Sequence, residues 1–475
     1  MAKIRQRALE PGIVLILLSC IHTSLAFITE TTYMIGHKKY VERLEQPWFR
    51  VPHEDHEKVD AANVDSSAFG KHSIPKDDVF VSPEWTPYEE KYLPCLDRKC
   101  VCPYFNGTTR GNDCVLQNGK PLKRGLRQEI RTLDDTVRNQ FENALNWMKR
   151  SGLYNRIARV HKYSGVHSGP AFTLWHREYL KRFELVIRRH LPDPNMGVPY
   201  WDSTLDSELP DPLDSLIFSD IFFGDVDDNG FVVSGPYANW TTMEGRASIL
   251  RQFGVNPAGE LLSNARVDWI VNNPDLNMVL GCTMPLTTCS IIDRLDARML
   301  EYSHDYVHFF IDGDMGKSTS SSNDVVFLYH HSMVDFIYEA WRQKMQSRTQ
   351  RERDYPPNDP NCFPFWHALD SIMPMLHPMT NREALSNGYT DEMYEFAPRP
   401  SCSRDNPNCN SKYLFCYIPA DGDAHCMAKI RTGGNCAGFE GTDICYMSKC
   451  VKGLCQEDKK VSKKPQQDDS NGLFM

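Results

Sequence analysis

Residues 167 to 184 read HSGPAFTLWHREYLKRFE. From about Ala171 to His190 the apolar positions recur with helical spacing, and the pattern stops before Pro192. His176 falls within the apolar and aromatic part of that helix, nine residues after His167. One histidine on an apolar face is ordinary packing. Its meaning depends on whether other histidines can be brought to the same place.

The surroundings supply them. His161 precedes the stretch in RVHKYSGVHSG, so His161, His167 and His176 form one set. A second helical pattern near 293–310 holds YSHDYVH, with His304 and His308 four residues apart. That spacing puts two imidazoles on one helix face, about 5–6 Å apart at their β-carbons. A further helical pattern from about Asp324 to Met345 carries FLYHHSMVD, with His330 and His331. Each helix also has an apolar face, so all must pack in one bundle. Imidazoles without a cysteine or a carboxylate pair beside them suit copper better than calcium, magnesium or non-haem iron. A structural zinc site takes four ligands and a catalytic one three plus water. Two three-histidine sets match two coppers, each with an open position facing the other.

The rest of the 475 residues frames this bundle. Hydrophobic content of 41% and charged content of 24% are those of a globular protein. A formal net charge of −9 gives no reason to expect a nucleic acid or an anionic membrane surface as partner. Lys3, Arg5 and Arg7 precede an apolar run from Gly12 to Leu18, and small residues stand at Ser24 and Ala26. Residues 1–26 therefore read as a secretory signal peptide cut after Ala26, the run being too short for a membrane span. Sixteen cysteines agree with export. Removal of Cys20 leaves an odd number, and Cys362, alone in its neighbourhood, is the expected unpaired residue. Asn106 (NGT) and Asn239 (NWT) are glycosylation acceptors.

Residues 27–120 are polar and Pro-interrupted and read as an irregular extension stapled by Cys95, Cys100, Cys102 and Cys114. A helix is expected from Thr132, capped by that residue with Asp135 three positions on and ended by Gly152. Residues 203–240, rich in Asp, Pro and Gly, read as a long loop. Residues 121–398 form the main domain, helical with long loops. Eight cysteines between Cys402 and Cys455 mark 399–455 as a separate disulfide-held module, and 456–475 as a polar disordered tail.

Two of these stretches carry a resemblance. HSGPAFTLWHREYLKRFE followed by VPYWDST (198–204) resembles the first copper motif of tyrosinases, catechol oxidases and molluscan haemocyanins. LEYSHDYVHFFIDGDM followed by NDVVFLYHHSMVDFIYEAW resembles the second. The match spans about residues 130–345. Export and the cysteine-rich module are also similar to tyrosinase-like proteins of molluscan shell matrix. The resemblance implies a mainly α fold: a helical bundle carrying a dinuclear copper site, with long loops and a small disulfide-rich C-terminal module. It implies one copper on His161, His167 and His176 and the other on His304, His308 and His331, the second histidine of the HH pair being the family's ligand. It also implies O2 as co-substrate.

Further roles follow from the same resemblance. Glu301 matches an acidic residue that holds a water and could help deprotonate a phenol. Asp305 stands where the family often has Asn, and an anion there could alter water activation or repel phenolate. Asp335, four after His331, is expected to orient part of the site or to pair with Arg177 or Arg182. Phe327 should pack beside a ligand, and Trp175 and Phe183 should wall the helix. Val325 replaces a family proline. Gly165 stands where some relatives have a cysteine linked to the histidine ring, so that thioether should be absent. The implied activity is a secreted oxidation of phenols or catechols to quinones, on small phenolic or catecholic substrates or protein tyrosine side chains. Quinones crosslink extracellular matrix proteins, as in tanning or hardening of shell. The competing readings are an inactive structural matrix protein and an oxygen-binding, haemocyanin-like unit.

Overall fold

In the computed structural model the described residues are 28–35, 38–45, 87–111, 113–285, 289 and 295–457. Residues 1–26, read above as a signal peptide, most of the extension before residue 87, and residues 458–475 of the expected tail lie outside them. The helices of eight residues or more are α1 (Asp135–Arg150), α2 (Leu153–Ser164), α3 (Phe172–Arg188), α4 (Asn264–Val271), α5 (Leu300–Ile311) and α6 (Val326–Met345). α3 packs on α6, α6 also touches α4 and α5, and α1 packs on α2 and α3. The fold is mainly α, and 203–240 is a long loop with only short 3-10 turns. No helix among the described residues is long and apolar enough to cross a membrane.

The start of α1 differs from expectation. Asp134, not Thr132, caps it, accepting from the Thr136 N–H at 2.8 Å. Leu133 is extended, which carries Thr132 away from the helix, and the Thr132 hydroxyl donates to the Glu129 carbonyl instead. Gly152 at φ +76° ends α1 as expected, because only glycine adopts that conformation without strain. It also leads straight into α2, a helix not expected from the sequence.

α3 is central. Every residue from Phe172 to Arg188 is buried, so its charged side chains must all find partners. Arg177 donates to Asp335 at 2.6 Å and to Glu339 at 2.7 Å, both on α6. Arg127 joins Glu184 of α3 (2.6 Å) to Asp335 (2.8 Å). Tyr394 adds its hydroxyl to Asp335 at 2.6 Å. Arg182 pairs with Glu178 at 2.6 Å and donates to the Leu376 and His377 carbonyls. Gly125–Arg127 and Tyr394–Phe396 pair as a short parallel ladder, which brings Arg127 and Tyr394 to the same place.

Around this core lie smaller pieces. Strands Ile28–Ile35 and Lys38–Glu45 form an antiparallel hairpin within the extension read as irregular. Disulfides Cys95–Cys100 and Cys102–Cys114 staple its later part. The C-terminal module holds Cys402–Cys416, Cys409–Cys426, Cys436–Cys450 and Cys445–Cys455. Its own core includes Met427 and Ile430, with Leu205 and Leu209 of the long loop packed in. It docks through the Leu216 N–H on the Lys429 carbonyl and through Tyr413 on Asp135.

The expectation for the odd cysteine is corrected. Cys362 is bonded to Cys289, and the free cysteine among the described residues is Cys282. The chain brings 289 and 362 together from 73 positions apart, a pairing that spacing alone does not reveal. The Cys282 thiol is buried, donates to the Ser168 and Cys362 carbonyls, and is pushed up to about 12 by burial and by Glu301. A buried thiol of that kind is inert. Alkylation of the native protein should leave Cys282 unlabelled, and denaturation without reductant should expose it to one label per chain; a label at Cys362, read by peptide mass mapping, would contradict this pairing.

Candidate metal centre

The first histidine set comes from three consecutive pieces of chain. His161 is in the last turn of α2, His176 near the start of α3, and His167 on the loop between them. Ring centroids are 5.4 Å apart for His161 and His167, 5.3 Å for His161 and His176, and 4.9 Å for His167 and His176. Ligand atoms of all three lie within 4.8 Å of one another. Gly165 fits here for a steric reason: a β-carbon on it would stand 2.9 Å from His161 Nε2.

The second set joins two helices. His304 and His308 share one face of α5, and His331 of α6 points between them. The His331 Nε2 is 3.1 Å from His304 Nε2 and 3.3 Å from His308 Nε2. Two nitrogens bound at about 2.0–2.1 Å to one tetrahedral metal ion are separated by about 3.3 Å. His330 also has a ligand atom within 4.8 Å of His304 and His308, so proximity alone admits it. Its Nε2, however, is engaged with the His304 carbonyl at 3.1 Å, and its ring stacks on His304. Its Nδ1, like that of His331, is buried without a partner, so His330 and His331 both stand beside His304 and His308.

The sets face each other. His176 and His331 stack with centroids 4.6 Å apart and planes 19° apart. Phe327 lies 4.0 Å from His331 and 4.6 Å from His161, as its spacing implied. Phe172, which the sequence did not single out, lies 4.7 Å from both His176 and His304 and so stands between the sets. Trp175 and Phe183 are core residues.

The imidazoles are prepared as neutral ligands. His176 Nδ1 meets the Phe172 carbonyl at 2.8 Å, His308 Nδ1 that of Met315 at 2.7 Å, and His167 Nδ1 that of Gly165 at 3.2 Å. A carbonyl only accepts, so Nδ1 carries the proton and Nε2 keeps its lone pair. His304 Nδ1 has two acceptors, the Glu301 carbonyl at 3.3 Å and Asp305 Oδ1 at 3.1 Å. The buried Nε2 of His176 and both ring nitrogens of His161 lack a well-formed hydrogen bond. Such orphans each cost about 1–3 kcal/mol. Lone pairs left bare and aimed together fit a pair of metal ions, and the donor set fits copper.

Burial, reinforced by the neighbouring rings, holds His161, His176, His304 and His331 well below the usual imidazole range. His167 and His308 are pushed down to about 4.

Glu301 is buried rather than exposed on its helix turn. One oxygen accepts the Ser168 N–H at 2.5 Å and the other the Thr283 hydroxyl at 2.7 Å. Burial raises it to about 8. Asp305 is buried beside His304, with Oδ2 unpartnered, and burial together with Glu301 pushes it well above the usual carboxylate range. Asp335 reaches no imidazole: it joins Arg177, Arg127 and Tyr394, and Arg182 is not its partner. His367, outside both histidine sets, is buried against the loop that carries His167. No local spacing could have shown that, although its aromatic neighbours in FPFWHA hinted at burial.

Residues 151–344 match the family model described as the common central domain of tyrosinase. The chain carries a tyrosinase-family copper domain. Over 377 residues it is 39% identical to a tyrosinase-like protein of Caenorhabditis elegans, covering 78% of this chain and 53% of that protein. Over 313 residues it is 31% identical to tyrosinase-like protein 1 of the mollusc Margaritifera margaritifera, covering 61% of this chain and 57% of that protein. The chain thus spans little more than half the length of these relatives. A solved polyphenol oxidase from Thermothelomyces thermophila superposes with a TM-score of 0.44 at 16% identity, over 66% of this chain and 98% of that one.

Two outcomes are expected. His331→Ala should remove one copper per chain, measured by elemental analysis, whereas His330→Ala should keep two. The second concerns pH in the metal-free protein. Histidines depressed below their ordinary 6.5 contribute stability that is fully present above pH 6.5 and lost as pH falls toward about 4, the value of His167 and His308. Each such group contributes a slope of up to about 1.4 kcal/mol per pH unit. Glu301 and Asp305 act oppositely: the contribution of Glu301 is present below 4.5 and lost as pH rises through about 8, and Asp305, also raised by burial, acts in the same sense. Among the groups of the site the six histidines outnumber these two carboxyl groups, so the metal-free melting temperature should fall from pH 6.5 to 4.5; a flat profile would contradict neutral, unpaired imidazoles.

Proposed function

We propose that this protein is a secreted oxidase that uses O2 to convert catechols, and more slowly phenols, to quinones. The observation that supports the reading is the closeness of His161, His167 and His176 in one cluster and of His304, His308, His330 and His331 in another, His331 Nε2 standing 3.1 and 3.3 Å from those of His304 and His308, within a tyrosinase-family domain. When bound, the copper pair supplies the electron transfer between O2 and the aromatic ring.

The chain's own groups handle the protons. Oxidation of a catechol to a quinone releases two protons and two electrons, and O2 takes up four of each to become water. Asp305 is the better proton acceptor of the two carboxyl groups, because its Oδ2 is bare while both oxygens of Glu301 already accept bonds from Ser168 and Thr283. Asp305 also sets the His304 tautomer through Nδ1. Glu301 ties α5 to the His167 loop. Phe172, Phe327 and the buried ligand rings keep bulk water from the centre.

Export and matrix crosslinking belong to the same proposal. Seven disulfides among the described residues suit an oxidising compartment. Asn106 and Asn239 are both exposed, where glycans can be attached. A quinone released outside the cell reacts with amines and thiols of matrix proteins, shell matrix included.

Oxygen uptake by the copper-loaded protein tests this. Catechol should be consumed at two molecules per O2, monophenol more slowly, and His304→Ala should abolish both. Two coppers per chain with reversible oxygen binding and no turnover would replace the oxidase with a carrier. Two coppers with neither would leave a structural matrix protein.

A further inference from the structure

Five of the proposed ligands sit on helices; His167 does not. It begins the loop His167–Ala171 between α2 and α3 and is partly exposed. Ser168 follows at φ +70°, the left-handed region, which a residue with a side chain holds only when its surroundings enforce it. The enforcement comes from parts of the chain between 114 and 133 positions away. Glu301 accepts the Ser168 N–H, Cys282 donates to the Ser168 carbonyl, and Met284 Sδ accepts the Ser168 hydroxyl at 3.3 Å.

His367 closes the far end of the same loop. Its Nδ1 accepts the Ala171 N–H at 3.2 Å. Ala171 caps α3 without any side-chain bond of its own, so His367 serves as the cap. The His167 backbone is the other hydrogen-bonding neighbour of the same ring. Between these two anchor points the ring lies against Gly169, where a β-carbon would stand 2.7 Å from Cε1. The imidazole thus fills the concave side of the loop, which only glycine leaves open.

His367 is itself held from behind. Tyr355 donates to its carbonyl at 2.6 Å, and Asn381 donates to the carbonyls of Trp366 and Ala368 at 2.8 Å each. Five residues upstream, Cys362 is bonded to Cys289. A rigid platform therefore presents one neutral ring to a loop that has no regular structure of its own. The residue is 1% exposed and lies outside both histidine sets.

We propose that His367 is a positioning residue for the first metal site: by bracing the loop from His167 to Ala171 it holds His167 where His161 and His176 can share one ion with it. This rests on the copper reading given above. Partners that fix a ligand in this way typically change metal affinity 10–100-fold when removed.

The test uses the full-length secreted protein, stripped of metal and reloaded with Cu(II). Wild type, His367→Ala, His367→Gln and Phe365→Ala are compared by copper per chain under a competing chelator and by electron paramagnetic resonance. Phe365 shares the turn but is 58% exposed and is the control. His367→Ala should weaken one copper 10–100-fold and show the signal of an isolated cupric ion where the wild type, with two coupled ions, shows little. His367→Gln keeps an acceptor for Ala171 and should recover most of the second copper, and Phe365→Ala should match wild type. Hydrogen exchange in the metal-free state should show the Ala171 amide losing protection in His367→Ala alone. His367→Ala holding two coppers at wild-type affinity, or losing both to the same degree, would overturn the positioning role. A wild type that takes up no copper would overturn the copper reading, and this proposal with it.

Discussion

The structure depends on one buried charge cluster, in which Arg177 and Arg127 share Asp335. α3 and α6 are each buried along nearly their whole length, and charges placed there are tolerable only if every one is paired. Removing one partner of such a cluster costs about 3–5 kcal/mol, because a charge is left bare in the interior. The pairing has one geometry: Arg177 must meet Asp335 and Glu339, and Arg127 must meet Asp335 and Glu184. Arg127 also lies 3.5 Å from the Tyr394 ring centroid. His176 immediately precedes Arg177, and His331 is one turn before Asp335. The register that satisfies the charges is therefore the register that stacks His176 on His331, and the metal centre inherits its dimensions from the ion pairs below it.

The second determinant is the state in which the imidazoles are kept. Carbonyls hold Nδ1 of His167, His176 and His308, leaving the Nε2 lone pairs to face the site, where of the six proposed ligands His167 alone is partly exposed. That is unfavourable for the empty chain and favourable for a chain with metal, so binding and folding reinforce each other. Glu301 and Asp305 occupy the same helix face but divide the work. Glu301 is a strut between α5 and the His167 loop, and Asp305 keeps an oxygen free beside His304.

Much of this was legible in the sequence, for identifiable reasons. The long helices α1, α3 and α6 have apolar positions at regular spacing, and His304 and His308 lie four apart on α5; these are local signals. The order of the two motifs then implied which helices meet; His331 Nε2 lies 3.1 and 3.3 Å from those of His304 and His308, and His330 stands in the same cluster. What local reading missed depends on distant contacts. Cys289 bonds Cys362 across 73 positions, leaving Cys282 free. His367 meets a loop 196 positions earlier. Of the two expectations for Asp335, the pairing with Arg177 is found, while its other arginine partner, Arg127, is a residue that no helix pattern marked. α2 was passed over although Tyr154, Ile157, Ala158 and His161 have helical spacing; the short distance from Gly152 to the next glycine concealed it. Thr132 resembled a cap because Asp135 stands three positions on, but the backbone turn at Ile130–Thr132 leaves Asp134 at the helix start.

The most direct measurement is diffraction from crystals of the copper-loaded protein collected on either side of the copper absorption edge. The account predicts two anomalous peaks, one enclosed by His161, His167 and His176 and the other by His304, His308 and His331, with His330 turned to the His304 carbonyl. A single peak, or a second peak bound by His330 in place of His331, would contradict it.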